Sequence, residues 1–197
     1  EQPVVSLLRN FSAPVNLVFD YSDEELAFLI QHETNGFNQW QATQTLLERI
    51  LLEDHSADAY IQAIQSTLPE LVGRDPLLAS RLFDVPSEGY LGSRIDQNYA
   101  PADIHVKREA LLNRLAQELG SFWKDTYLTL DPDLQKEFSL AMGVRALKNI
   151  MLMMMARQGD QSAFELAHVQ YQNTGNMSER LGALRVLVWQ NAPQAQE

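Results

Sequence analysis

The sequence predicts a mainly α fold, a layered array of antiparallel helix pairs preceded by a short N-terminal β segment. Three observations carry this expectation. Helix-start signals recur after Tyr21, most visibly Ser22-Asp23-Glu24-Glu25 and Asn176-Met177-Ser178-Glu179. Between them, apolar residues repeat at spacings of three and four, the period of a helix with one buried face. Ahead of them lies PVVSLLRNFSAPVNLVFD, residues 3–20, in which Val15, Leu17 and Phe19 alternate with Asn16, Val18 and Asp20 at the two-residue period of a half-buried strand. Pro14 confines any pairing there to an edge or a bend. A ribbon with no further strands to pair with is marginal in water. The missing partners are therefore expected upstream, and the chain is expected to be a piece of a larger one.

Each helix follows from local signals. The Ser22-to-Glu25 spacing is a capping box, and Leu26, Leu29 and Ile30 supply the apolar face behind it. Asn35-Gly36 breaks that helix, and Trp40, Thr43, Leu47, Ile50 and Leu51 form the stripe of a partner, predicting a helical hairpin. Ser56 caps a third helix with Tyr60, Ile61, Ile64, Leu68, Leu71 and Val72 on one side and Gly73 as its stop. Asp75-Pro76 starts a short helix to Phe83, with proline where its missing N–H costs little. Val85-Pro86-Ser87-Glu88 is another capped start, but Gly89, Gly92 and Asn98 leave residues 89–99 as a short helix or an ordered loop. Pro101 opens a long helix with Ile104, Leu111, Leu112, Leu115, Leu119 and Phe122 aligned, continuing to Leu130.

Asp131-Pro132 repeats the start signal for a helix to Arg157 that is apolar on two faces. One face is Leu134, Phe138, Ala141 and Met142, and the other is Leu140, Val144, Leu147, Met151 and Met154. Such a helix is sandwiched between neighbours. Gly159-Asp160 starts the next, with Phe164, Ala167, His168 and Tyr171 in register. Met177, Leu181, Leu184 and Val188 give the last helix its stripe, ending near Pro193. Helix pairs joined by short connections, one helix buried on two sides, describe an irregular superhelix of the HEAT or armadillo kind. No motif repeats at a fixed period, so the array is not a consensus solenoid. The expected division is 1–20 for the terminal strands of an upstream β domain and 21–197 for a superhelical domain that is C-terminally incomplete.

Composition narrows the function. The 197 residues are 45% hydrophobic and 21% charged, which is globular rather than disordered. A net charge of −11, with 15 basic residues scattered among 26 acids, leaves no basic stripe for a phosphate backbone, so nucleic acid is not an expected partner. The absence of cysteine removes thiol catalysis, disulfides and thiolate-bound zinc. No uninterrupted apolar run reaches the length that spans a bilayer, and no membrane partner is expected.

The sequence offers little chemistry. His32-Glu33 begins like the zinc motif H-E-x-x-H, but the fifth position is Gly36, and the pattern breaks at the end of a helix. His55, His105 and His168 make no pair one turn apart, and His168 lies on an apolar stripe. Glu24-Glu25 and Asp131 with Asp133 are explained by the favourable field at a helix N-terminus. Met151, Met153, Met154 and Met155 read as packing residues filling irregular gaps between helices. No catalytic, cofactor-binding or metal residue is assigned to the chain.

Four landmarks nonetheless agree in order, and the first of them is specific, because no generic physical requirement calls for its loop. Ser6-Leu7-Leu8-Arg9-Asn10-Phe11-Ser12-Ala13-Pro14-Val15, running into Tyr21-Ser22-Asp23, resembles the junction between the small β domain and the C-terminal helical domain of the bacterial aminopeptidase N family, the alanyl type of zinc gluzincin. Val85-Pro86-Ser87-Glu88 resembles that family's L-P-S-E segment. Ile104-His105 with Arg108-Glu109-Ala110-Leu111 is similar to its Arg-Glu helix, and Asn176-Met177-Ser178-Glu179-Arg180 with Ala183-Leu184 to its N-M-T-D helix start. The resemblance spans essentially the whole chain. It departs from the family in a shorter region between Leu52 and Arg81 and in Gly89 and Gly92.

The resemblance implies a parent enzyme that removes N-terminal residues from peptides, using zinc held by H-E-x-x-H and a downstream glutamate, with a G-A-M-E-N loop gripping the substrate amine. All of that machinery would lie upstream. For this chain it implies a non-catalytic superhelix packed on the catalytic and β domains of its own polypeptide, restricting entry to small peptides, in the bacterial cytoplasm. The other reading is a freestanding helical-repeat module whose concave surface holds a peptide or partner helix. The parent reading frame separates the two.

Overall fold

The computed structural model describes residues 3–13, 15, 18–95 and 100–189. Among the described residues ten α-helices follow one another: α1 (Asp23–His32), α2 (Gly36–Leu52), α3 (Asp58–Arg74), α4 (Pro76–Arg81), α5 (Glu88–Ser93), α6 (Pro101–Leu119), α7 (Phe122–Thr129), α8 (Phe138–Arg157), α9 (Ser162–Asn173) and α10 (Met177–Trp189). The chain divides into two compact units. One holds residues 1–72 and 81–111, the other 73–80 and 112–197.

In the first unit the expected hairpin forms. Ser22 caps α1 with both halves of the box in place: its hydroxyl accepts from the Glu25 N–H, and the Glu25 carboxylate accepts from the Ser22 N–H at 2.8 Å. The Asn35 side chain caps α2. Gln39 near the start of α2 donates to the Ile30 carbonyl at the end of α1, while Arg49 near the end of α2 reaches Asp23 at the start of α1, so the two helices are antiparallel. Leu26, Ile30, Leu46, Leu47, Leu51, Ile64 and Leu68 are fully buried, and Tyr60 buries its ring while donating to the Leu82 carbonyl. Trp40 is only half-buried, on a ring stack with Phe37. α3 runs through Gly73 and ends at Arg74.

The second unit is built around α8, which packs against α7, α9 and α10. Arg145 of α8 faces Glu179 of α10, Asn149 lies against Gly182, and Arg157 stacks on the Trp189 ring, so α8 and α10 run parallel. At Gly143, α8 crosses the N-terminus of α4 with a Cβ position only 2.8 Å from the Leu77 Cα. α8 is the one described helix long and apolar enough to cross a membrane by length and composition. No such run was expected from the sequence. Here its Val144, Leu147, Met151, Leu152 and Met155 are buried in protein, and Arg145 and Lys148 interrupt it with partners inside the unit.

Several expectations are corrected. Among the described part of residues 3–20 there is no strand; Pro14, Asn16 and Leu17 lie outside the described residues. Arg9–Phe11 is a 3-10 turn, with Leu8, Asn10 and Phe11 in the left-handed region at φ of 54°, 57° and 55°. No described neighbour offers a ladder. The aromatic residues pack locally instead, Phe11 on Phe37 and Phe19 on Tyr21, both at 4.5 Å, and Val18 stands in solvent.

The long helix expected from Pro101 to Leu130 breaks at Gly120, whose φ of +51° ends α6. Gln158 then donates to the Ala116 and Gly120 carbonyls, and the Trp123 indole also reaches the Ala116 carbonyl, satisfying acceptors the helix end leaves open. The helix expected from Asp131 is only a 3-10 turn, Pro132–Leu134, because Gln135 and Glu137 are extended. Leu134, Phe138 and Met142 are consequently 77%, 80% and 41% exposed, and of the first expected face Ala141 alone is buried. In α10 the expected stripe is reversed. Ala183, Val186 and Leu187 are buried, whereas Met177, Leu181 and Val188 face out. Asn98, Tyr99 and Pro193 lie outside the described residues.

Candidate functional site

The densest polar cluster of the first unit joins residues 6–11 to the α1–α2 corner. Glu33, at the end of α1, has a side chain only 3% exposed. Its carboxylate accepts from the Ser6 hydroxyl and, at 2.7 Å, from the Asn35 N–H, and the Arg9 guanidinium lies 3.1 Å away. Burial alone would raise the Glu33 pKa; the Ser6 and Asn35 hydrogen bonds and the Arg9 charge outweigh it and hold the carboxyl below its usual value. Around it, Arg9 donates to Thr34 Oγ1 at 2.6 Å, Asn35 Nδ2 to Asn10 Oδ1 at 2.7 Å, and Asn38 Nδ2 to Ser6 Oγ and the Leu7 carbonyl. The left-handed residues Leu8, Asn10 and Phe11 each cost about 1–2 kcal/mol relative to ordinary backbone, with asparagine the least penalised. The polar network offsets that strain.

A groove of about 680 Å³ opens beside this cluster, with Ser6, Leu7, Leu8, Phe11, Phe19 and Tyr21 on one side and the α1–α2 pair on the other. Leu7, Phe11, Phe19 and Phe37 give it an apolar wall; Asn38, Gln41 and Thr45 give it a polar one. Such a lining can hold an apolar side chain together with the amide groups of a peptide.

A second cluster closes the first unit at the start of α1. Arg49 donates to the Tyr21 carbonyl at 2.6 Å and to Asp23 at 3.0 Å, and Asp23 pairs with His55 Nδ1 at 2.7 Å. A third ties two landmarks together. Arg108 of α6 donates to the Pro86 and Val85 carbonyls, and His105 pairs with Glu88 at 2.8 Å, so the Arg-Glu helix grips the Val85-to-Glu88 segment. Tyr90 and Arg94 of the α5 region both reach Glu48.

The fourth landmark heads the polar interior of the second unit. Asn176 caps α10 by accepting from the Ser178 N–H, which leaves Glu179 turned inward against Arg145 and Thr174. Gln170 Nε2 donates to the Glu179 carbonyl and to Asn149 Oδ1, and its Oε1 accepts from the Tyr127 hydroxyl at 3.1 Å. Gln170 and Asn149 carry no motif. Only their positions on helical periods, buried for Gln170 and half-buried for Asn149, mark them.

His32 and Glu33 do not fit a zinc site. The His32 ring packs on Phe28 at 4.4 Å, and the Glu33 oxygens are taken by Ser6, Asn35 and Arg9. Among the described residues no group of three or more His, Asp or Glu side chains could hold a metal ion. His168 pairs with Gln172, and Met151, Met154 and Met155 are buried in the core with Met153 at its edge.

Comparison with known proteins places these clusters in a family. Aminopeptidase N of Escherichia coli is 32% identical over 98% of this chain, and aminopeptidase N of Caulobacter vibrioides 31% over 95%. The chain spans 23% and 22% of those relatives, about a quarter of their length. Among solved structures, Legionella pneumophila aminopeptidase A in complex with aspartic acid matches the fold of the whole chain with a TM-score of 0.80 at 24% identity, over 25% of its own chain. The family described as "Domain of unknown function (DUF3458_C) ARM repeats" matches residues 23–197. With nearly all of its helical part matched, the chain belongs to this ARM-repeat family, DUF3458_C.

Proposed function

We propose that the chain is the non-catalytic C-terminal helical region of a zinc aminopeptidase that removes N-terminal amino acids from peptides. The observation that carries this is the end-to-end match to aminopeptidase N over 98% of the chain but only 23% of the relative. In this reading the superhelix packs on the catalytic domain of its own polypeptide and restricts access to small peptides, in the cytoplasm. Two features support the packing. Leu134 and Phe138, and Met177, Leu181 and Val188 on α10, are large apolar side chains of the second unit held out of its core. The four histidines each have a partner within the chain, His32 on Phe28, His55 with Asp23, His105 with Glu88 and His168 with Gln172, which fits a structural role for them.

The test is an assay of the purified 197-residue chain on alanyl p-nitroanilide, with and without added zinc, beside the protein translated from the full parent reading frame. Turnover is expected only for the full protein. Metal-dependent turnover by the chain alone would sink the proposal, and so would a parent frame lacking H-E-x-x-H upstream.

A further inference from the structure

We propose that residues 6–11 form a strained strap latched by Glu33, a local two-state element that can leave the α1–α2 corner while the helices stay folded. The argument starts from the backbone. Leu8, Asn10 and Phe11 all occupy the left-handed region, and none is glycine. A segment of that kind does not hold its shape by itself. Among the described residues a single backbone hydrogen bond closes within it, from the Phe11 N–H to the Leu8 carbonyl at 3.1 Å, so the shape depends on side chains.

Those side chains converge on one short stretch. Ser6 and Arg9 meet at the Glu33 carboxylate, Arg9 also holds Thr34, and Asn10 holds Asn35. Asn38 holds Ser6 and the Leu7 carbonyl, and Phe11 stacks on Phe37. Every anchor on the helical side lies within residues 33–38, the turn between α1 and α2 and the first residues of α2. Glu33 is the keystone, because it is the buried charge and receives two of the strap's side chains at once. Beneath the strap the helices keep a core of their own. Ile30, Leu46 and Leu47 are fully buried away from the groove that the strap walls, whereas Leu26 lines it beside Leu7 and Leu8. Strain on one side, a single buried charge on the other and an independent core beneath give two states separated by a small free-energy difference. Opening the strap removes one wall of the groove lined by Leu7, Leu8 and Phe11. The latch is independent of the aminopeptidase reading and stands or falls separately.

Trypsin reads the latch directly, since the Arg9–Asn10 bond becomes a substrate only when Arg9 leaves Glu33 and Thr34. The 197-residue chain, Glu33→Gln and Ser6→Ala are digested briefly, cleavage after Arg9 is followed by mass spectrometry, and helical content by circular dichroism. The wild type is expected to be cut slowly after Arg9, at a rate insensitive to urea well below the unfolding transition, as local opening requires. Glu33→Gln is expected to be cut about tenfold faster with its helical signal intact, the scale of losing a charge-assisted hydrogen bond. Ser6→Ala is expected to fall between the two. Equal rates in wild type and Glu33→Gln overturn the latch, as does cleavage that rises with urea only in step with global unfolding. If Glu33→Gln fails to fold, Ser6→Ala decides: faster cleavage on a folded chain supports the strap, and an unchanged rate overturns it.

Discussion

The Arg145 guanidinium on α8 lies 3.4 Å from the inward-turned Glu179 carboxylate on α10, with side chains 18% and 8% exposed. The Thr174 hydroxyl donates to the same carboxylate, and Asp133 offers Arg145 only a solvent-exposed contact at 3.8 Å. The pair fixes which side of α10 faces α8. Its rotation turns Met177, Leu181 and Val188 outward.

Glu179→Gln tests that role. It keeps shape and a hydrogen-bond acceptor but, among the described residues, leaves Arg145 with Asp133 as its ion-pair partner. A loss of about 2 kcal/mol in urea-unfolding free energy is expected, within the range for uncoupling a largely buried charge pair. A loss below about 0.5 kcal/mol would contradict the structural weight given to this contact.

Gly143→Ala tests the crossing of α8 over α4. The new methyl would meet the Leu77 nitrogen and, at 2.8 Å, the Leu77 Cα and Pro76 carbonyl carbon. These are backbone atoms, so the helices must separate. Although alanine favours a helix by roughly 1 kcal/mol over glycine, overpacking against backbone costs about 1–3 kcal/mol. A net fall in thermal midpoint is expected in differential scanning calorimetry, whereas a rise would show that α4 yields easily.

What the sequence reveals follows the range of the interaction that decides each feature. The Ser22 capping box and the Asn176 cap are contacts over two or three residues and form as expected, while Asn35, expected only as a helix break, also caps α2. The break at Gly120 was hidden because Phe122 continues the apolar period of α6 beyond it. Its partners, Gln158 and Trp123, come from the far side of the turn and from α8's end. The face of α10 is not legible from periodicity, because Leu181, Leu184 and Val188 compete with Val186 and Leu187 for the core. Gly182 against Asn149, a contact between positions 33 apart, settles which set wins. The Glu33 cluster shows the intermediate case. Nothing generic requires S-L-L-R-x-F, so the motif stands out in sequence, but its partners lie some 25 residues downstream and emerge only in the fold.

Asp23 should carry part of the acid sensitivity. Burial alone would raise its pKa, but the hydrogen bonds with His55 and Arg49 and their charges outweigh it and lower the value below the usual carboxylate range. A lowered folded-state value means stability that is present above the unfolded pKa, near pH 4, and lost as pH falls through the folded one. Asp23→Asn is expected to cost about 1–2 kcal/mol at pH 7. The gap between variant and wild type should narrow when the urea titrations are repeated at pH 3 and below. A gap that stays constant would assign the acid limb to other carboxylates.

At the alkaline end the informative group is Tyr127. Burial first, and the negative charge of Glu179 second, push its pKa up to about 12. The hydroxyl donates to Gln170 and the ring lies under the Lys148 ammonium at 4.6 Å, so ionisation in place would break a buried hydrogen bond. A raised folded-state value means stability present below the unfolded pKa, near 10, and lost as pH climbs toward 12. Tyr60 is pushed up by burial too, so the wild-type curve alone does not isolate Tyr127. Tyr127→Phe does. It is expected to lose about 1 kcal/mol at pH 7, because Gln170 Oε1 loses its donor, yet to decline less steeply than wild type between pH 10 and 12. Difference spectra at 295 nm should show one fewer late-titrating phenol. Parallel alkaline decline in the two proteins would mean that Tyr127 reaches solvent before it ionises, and that the Gln170 network does not hold the α7–α8 packing closed.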